Sequence, residues 1–290
     1  MTLKRPSTVQ IGWLAIRPKT LTVSIAPVIT ANCLAYADTG AISWLLLLIT
    51  LVSAMLIQIG TNLFNDVGDF LRGADGLERL GPLRATSSGW LAPAVVQRAA
   101  YSSFALATLF GGYLVWHGGW PILLLGLAAL ASGWAYTCGP RPVAYSALGE
   151  VFVWLFFGLA AVIGSYYLQT FQINWRVFMV ASLIGFQAAA VIVVNNYRDL
   201  DCDQKIGKMT LAVCIGRFWS KVEYGLLMLT PFVQLSLMHW WLPLLALPWS
   251  VYLLVLFCRE TPGPIFNRLL AQTAQLQLLF SLLLSASLLK

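Results

Sequence analysis

Apolar runs long enough to cross a bilayer alternate along this chain with short polar stretches. A helix needs about 20 apolar residues to span the hydrocarbon core. By that measure the pattern predicts nine transmembrane helices, over 20–37, 41–63, 95–116, 119–137, 147–168, 176–196, 222–239, 241–258 and 268–288. The expected fold class is an all-α membrane protein, one integral membrane domain over 1–290. The seventh and eighth helices are parted only by His239-Trp240-Trp241-Leu242-Pro243. Tryptophans gather at helix ends, as in Trp116, Trp120, Trp240 and Trp241, and are expected to form an interface belt. His117 and His239 belong with them. Gln272, Gln275 and Gln277 in the last helix are expected to make bundle contacts.

Composition agrees. The chain is 59% hydrophobic and 10% charged, where soluble domains carry roughly 25% charge. The net charge of +7 does not point to nucleic acid, because the basic residues are scattered over short loops. With nine spans, sixteen of the 18 Lys and Arg fall on one side, and only Arg176 and Lys290 on the other. The positive-inside rule makes the first side cytoplasmic, with the N-terminus. The two long connections, about 64–94 and 197–221, lie on that side, and long connections are usually functional. The five cysteines lack metal-type spacing and read as free thiols. Lys4 and Arg5 precede no h-region with a small-residue cleavage site, so no signal peptide is expected.

The acids are scarce and concentrated. Of 11 acidic residues, Asp66, Asp69, Asp75, Glu78, Asp199, Asp201 and Asp203 lie in two stretches after the second and sixth spans. On a helix, Asn62, Asn65, Asp66 and Asp69 fall within an arc of roughly 100°. Asn195, Asp199 and Asp203 share a face, and Asp201 points elsewhere. Like charges so close repel unless a cation sits among them. Mg²⁺ takes one or two carboxylates, waters and substrate phosphate oxygens. Two facing clusters could therefore hold Mg²⁺ with a diphosphate between them. Arg72, Arg198, Lys205 and Lys208 would take the remaining phosphate charge. A polar head at the water side over a greasy chamber describes a polyprenyl diphosphate. A cation-coupled transporter is the competing class, although transporters place such groups near the bilayer midplane.

Several pieces of this sequence together resemble the UbiA superfamily of membrane prenyltransferases. They are Arg17-Pro-Lys-Thr-Leu; Asn62-x-x-Asn65-Asp66-x-x-Asp69 with Gly73-x-Asp75; Arg79-Leu-Gly-Pro-Leu-Arg84; Tyr136-Thr-Cys-Gly-Pro140 with Tyr145; Leu148-Gly-Glu150; and Asn195-Asn-x-Arg198-Asp199 before Gly207-Lys-x-Thr-Leu211. The details are most similar to the branch acting on 1,4-dihydroxy-2-naphthoate, the MenA branch of menaquinone synthesis. The resemblance implies nine helices around an apolar chamber opening to the cytoplasmic side of the inner membrane. It implies Mg²⁺-dependent transfer of a polyprenyl group to that acceptor with loss of CO₂, giving demethylmenaquinone. Asn65, Asp69, Asp199 and Asp203 match the metal–diphosphate positions, with Asp66 beside them among the catalytic acids. Tyr136 and Arg141 match diphosphate contacts. Asn62, Arg79 and Arg84 are the acceptor candidates. The family's further Asp is Gly73 here, and Asp75 is its substitute. Arg17 and Lys19 stand between a membrane anchor and a diphosphate role, and Glu150 between a functional acid and a helix-start carboxylate. Homogentisate, chlorophyllide, haem or 4-hydroxybenzoate as acceptor, and a phytyl tail, stay open.

Overall fold

In the computed structural model, which describes residues 6–74 and 80–290, every regular element is helical. Asp75, Glu78, Arg79, Lys4 and Arg5 lie outside the described residues. The chain enters through α1 (Thr8–Ile16), closed by a capping box between Ser7 and Gln10. This helix buries Ile11 and Ala15 and leaves Val9, Trp13 and Leu14 exposed, as a helix lying along a membrane surface does. Arg17 then adopts φ 55°, a left-handed conformation uncommon for a residue with a Cβ. It turns the chain into α2 (Pro18–Thr39), where Pro18 at the first helical position forfeits no hydrogen bond.

α3 (Trp44–Leu71), α4 (Pro93–Gly118) and α5 (Trp120–Ala135) follow. α6 (Gly149–Val153), a seven-residue π stretch (Trp154–Ala160) and α7 (Ala161–Thr170) make one rod. α8 (Trp175–Lys205), α9 (Leu211–Leu237), α10 (Leu247–Arg259) and α11 (Ile265–Leu288) complete the bundle. The nine predicted spans all fall on helices. Among the described residues, however, only seven helices are long and apolar enough to cross a membrane. The other two segments are α5, with 16 residues, and α9, whose first half carries Arg217, Lys221 and Glu223.

The connections are shorter than expected. α3 runs on to Leu71 and α8 to Lys205. The polar stretch at 197–221 is therefore mostly helix, with a link at only 206–210 before α9. The apolar run stops with the hydrocarbon; the helix continues because it satisfies its own backbone groups in either medium. At 1.5 Å per residue, the 28 residues of α3 and 31 of α8 span about 42 and about 46 Å. The hydrocarbon core is about 30 Å thick. Both helices overshoot it, and the overshoot carries the two acidic stretches.

Side-chain pairs set the relative direction of α2 and α11. Thr30 hydrogen-bonds Ser281 and Ser285 across a parallel α2–α11 contact. Gln277, fully buried, donates to the Val23 carbonyl in the same seam, while Gln275 is exposed. At the end remote from the acids, Arg176 meets Asp38 at 2.6 Å, and Tyr166 donates to the same carboxylate at 2.8 Å. Trp44, Trp116, Trp120, Trp175 and Trp241 stand exposed around that end. Trp240 does not join this belt: it is buried beneath the Arg176 guanidinium, 5.7 Å from its ring centroid. His239, at φ 57°, makes the turn there. His117 contacts the Leu168 carbonyl at 3.2 Å.

Candidate active site

A cavity of about 680 Å³ runs down the bundle from the acidic end. Along α3 its wall reaches from Thr50 to Asp69, about 28 Å of helix. Arg17, Asn65, Asp69 and Arg84 line one side of the mouth; Asn195, Asp199, Asp203, Lys205 and Lys208 line the other. The depth is apolar, with Leu114, Ile122, Phe156, Phe157 and Leu168. The two polar stretches, 130 residues apart, thus share one mouth above one greasy shaft.

On the α3 side, Asn65 is the hub. Its Oδ1 accepts from Arg17 Nη2 at 3.0 Å and Arg84 Nη2 at 2.7 Å, and its Nδ2 donates to Thr137 Oγ1 at 3.3 Å. Arg84 also pairs with Asp69 Oδ2 at 2.7 Å, both groups buried. Tyr145 donates its hydroxyl to Asp69 Oδ1 at 2.9 Å. Burial and the Asp69 charge push the Tyr145 phenol up, so it stays the donor in this pair. Tyr136 also lines the cavity. Asn62 donates to the Ile16 carbonyl at 2.9 Å and so holds the α1–α2 turn against α3.

On the α8 side, Arg198 grips Asp199 with two bonds, Nε to Oδ1 at 2.8 Å and Nη2 to Oδ2 at 2.6 Å. The same guanidinium reaches Asn195 and Asn267, and Asn267 donates to the Leu80 carbonyl, tying α11 to the loop over the mouth. Lys208 lies 3.3 Å from Asp203 Oδ1. Asp203 Oδ2 is buried and, among the described residues, has no hydrogen-bond partner. Such an oxygen is costly unless something fills its place. Asp201 points away, 70% exposed and paired with Arg217.

Four of the predicted residues lie off the cavity wall. Asp66 shares the α3 arc but accepts from the backbone of Ala85 and Thr86 and from the Thr86 hydroxyl; it anchors the loop that brings in Arg84. Arg72 donates to the Thr137 and Gly139 carbonyls at 2.6 and 2.8 Å, stapling α3 to the α5–α6 link. Arg198 hydrogen-bonds Asp199 and Asn195, which do line the cavity. Arg141 is exposed on the link. Asn62, Asn65, Asp69, Arg84, Tyr136, Asp199, Asp203, Lys205 and Lys208 do line the cavity. Thr86, Thr137, Tyr145 and Asn267 are partners to which the sequence assigned no role. Thr137 and Tyr145 stood within a quoted motif; Thr86 and Asn267 carry no local signal.

Comparison with known proteins follows the same lines. Residues 24–261 match the UbiA prenyltransferase family. A 1,4-dihydroxy-2-naphthoate octaprenyltransferase of Haemophilus influenzae is 31% identical over 96% of this chain and 95% of its own. The Escherichia coli protein of that name is 34% identical over 94% and 93%. A UbiA homologue from Archaeoglobus fulgidus, solved with DMAPP and Mg²⁺, superposes with a TM-score of 0.66 at 16% identity, covering 96% of this chain and 99% of that one.

Proposed function

The chain belongs to the UbiA prenyltransferase family, and from that premise we propose that it transfers a polyprenyl group from its diphosphate to 1,4-dihydroxy-2-naphthoate. The allylic C–O bond breaks and diphosphate leaves. The ring carbon bearing the carboxylate forms the new C–C bond, and CO₂ departs with its former bond electrons returning to the ring. The product of this redox-neutral step is a prenylated hydroquinone, the reduced form of demethylmenaquinone. The observation that carries this reading is the single cavity, polar and charged at one end and apolar for the rest of its depth. Such a shape suits a molecule with a diphosphate head and a hydrocarbon tail.

Arg17, Lys205 and Lys208 at the mouth supply positive charge for the leaving diphosphate. Among the described residues no three His, Cys, Asp or Glu side chains form a metal cage. The donor set nonetheless suits Mg²⁺, which keeps few protein ligands and completes its shell with water and phosphate oxygens. The partnerless Asp203 Oδ2 fits that need; Asp203, Asp199, Asp69 and Asn65 would hold the ion. When bound, Mg²⁺ neutralises charge on the leaving group. Arg84 and Asn62 offer a guanidinium and an amide to the acceptor's carboxylate and hydroxyls. The protein is a multi-pass membrane protein, and the basic loops support a mouth facing the cytoplasm from an inner membrane.

The test uses purified protein, labelled polyprenyl diphosphate and carboxyl-labelled acceptor. Label should be released as CO₂ in step with prenylated product, EDTA should abolish both and Mg²⁺ restore them. Equal turnover of 4-hydroxybenzoate, or prenylation without CO₂, would move the chain out of the naphthoate branch.

A further inference from the structure

Glu150 opens the rod at α6. It is 5% exposed, and among the described residues its Oε2 has no hydrogen-bond partner. Its Oε1 accepts from Asn196 Nδ2 at 2.7 Å. Asn196 is also 5% exposed, yet it lines the cavity, nearly one helical turn deeper than Asp199. Tyr136 stands beside them. A Cβ built on Gly149 lies 3.7 Å from the Tyr136 hydroxyl and 3.9 Å from Asn196 Nδ2.

This arrangement fixes which way the amide points. A carboxylate only accepts, so it draws the nitrogen end of Asn196 and turns the carbonyl end away. Asn196 Oδ1 takes a single long contact from Asn195 Nδ2, at 3.5 Å. An amide oxygen has two lone pairs, so it retains capacity for another donor. An amide oxygen only accepts, so the ligand group it can take is an O–H or N–H donor and not a carboxylate. The acceptor's carboxylate therefore belongs on the Arg84 side, and its hydroxyl on this one.

We propose that Glu150 is a positioning residue that locks Asn196 so that the amide oxygen receives a ring hydroxyl of the aromatic acceptor, selecting for dihydroxylated rings. This rests on the acceptor reading above. A held amide rejects an analogue lacking the hydroxyl because its buried oxygen would be left unpaired. A mobile amide rejects it far less.

The experiment measures binding of 1,4-dihydroxy-2-naphthoate and its 1-hydroxy and 4-hydroxy monohydroxy analogues to detergent-purified protein. Wild type should bind the dihydroxy acid about tenfold more tightly than one of the two analogues. Glu150→Leu should level that preference to within about twofold while leaving binding of a prenyl thiodiphosphate unchanged. Glu150→Gln should keep the preference, since its side-chain oxygen accepts the same N–H. If Glu150→Leu does not fold, Asn196→Ala must level the preference instead. Equal weakening of all three acids, or none, would overturn the proposal and leave Glu150 a structural acid. A wild-type protein that binds no naphthoate would overturn the acceptor reading, and this one with it.

Discussion

Three carboxylates at the cavity mouth each face a cation: Asp69 with Arg84, Asp199 with Arg198, Asp203 with Lys208. The repulsion expected from clustered acids is thereby offset within the protein itself. The Arg84 fork spans both Asn65 and Asp69. Arg84→Ala strips charge-assisted bonds worth roughly 1.5–3 kcal/mol each and leaves Asp69 buried beside an empty place. We expect kcat/KM to fall at least about 100-fold for both substrates, with Arg84→Lys recovering part, since an ammonium cannot reproduce the fork. Initial rates with each substrate varied in turn provide the check. An effect confined to the acceptor's KM would return Arg84 to an acceptor-only role. The phase of Asn62, Asn65 and Asp69 was legible in the sequence because a helix face depends on local spacing alone. The fate of Asp66 was not, because the backbone that folds over it is 19 to 20 residues away. Arg17 was half legible: its charge was plain, but its aim depends on a left-handed backbone at that residue.

At the scale of elements, the apolar runs located every long helix and misjudged where two of them end. Hydropathy reports the solvent around a helix, whereas the helix itself stops at a capping or turn signal such as Gly73, at φ 68°, or Gly207, at φ 72°. Nor could hydropathy find the π stretch in the α6–α7 rod, which lies against α8. There Gly158 faces Gly185, and a Cβ on Gly158 would sit 2.7 Å from both the Ala181 carbonyl oxygen and the Gly185 Cα. These are backbone atoms, so no rotamer change makes room. Gly158→Ala should destabilise the protein by about 1–3 kcal/mol, read as a lower Tm in detergent. Gly12→Ala in α1, where nothing lies within 4 Å, should leave Tm unchanged or raise it. Equal Tm shifts at the two positions would deny the close crossing.

Taken whole, the molecule has a tryptophan-ringed end and a charged end, joined by a shaft. α3 and α8 are longer than the hydrocarbon is thick, and the two acidic stretches lie on what protrudes. Trp13 and Trp219 are exposed at that end, as interfacial anchors are. How far the two acidic stretches stand clear of the lipid is therefore set by the lipid as well as by the protein. Hydrophobic mismatch costs fractions of a kcal/mol per Å, so a thicker bilayer draws the protruding turns inward, toward a medium that penalises their charges. Reconstitution into phosphatidylcholines of increasing acyl length should leave turnover flat in short-chain lipid and lower it once the core exceeds about 30 Å. A rate that climbs steadily with acyl length would contradict this dependence. Acyl-chain composition would then act as a rheostat on the enzyme, with no ligand or modification involved.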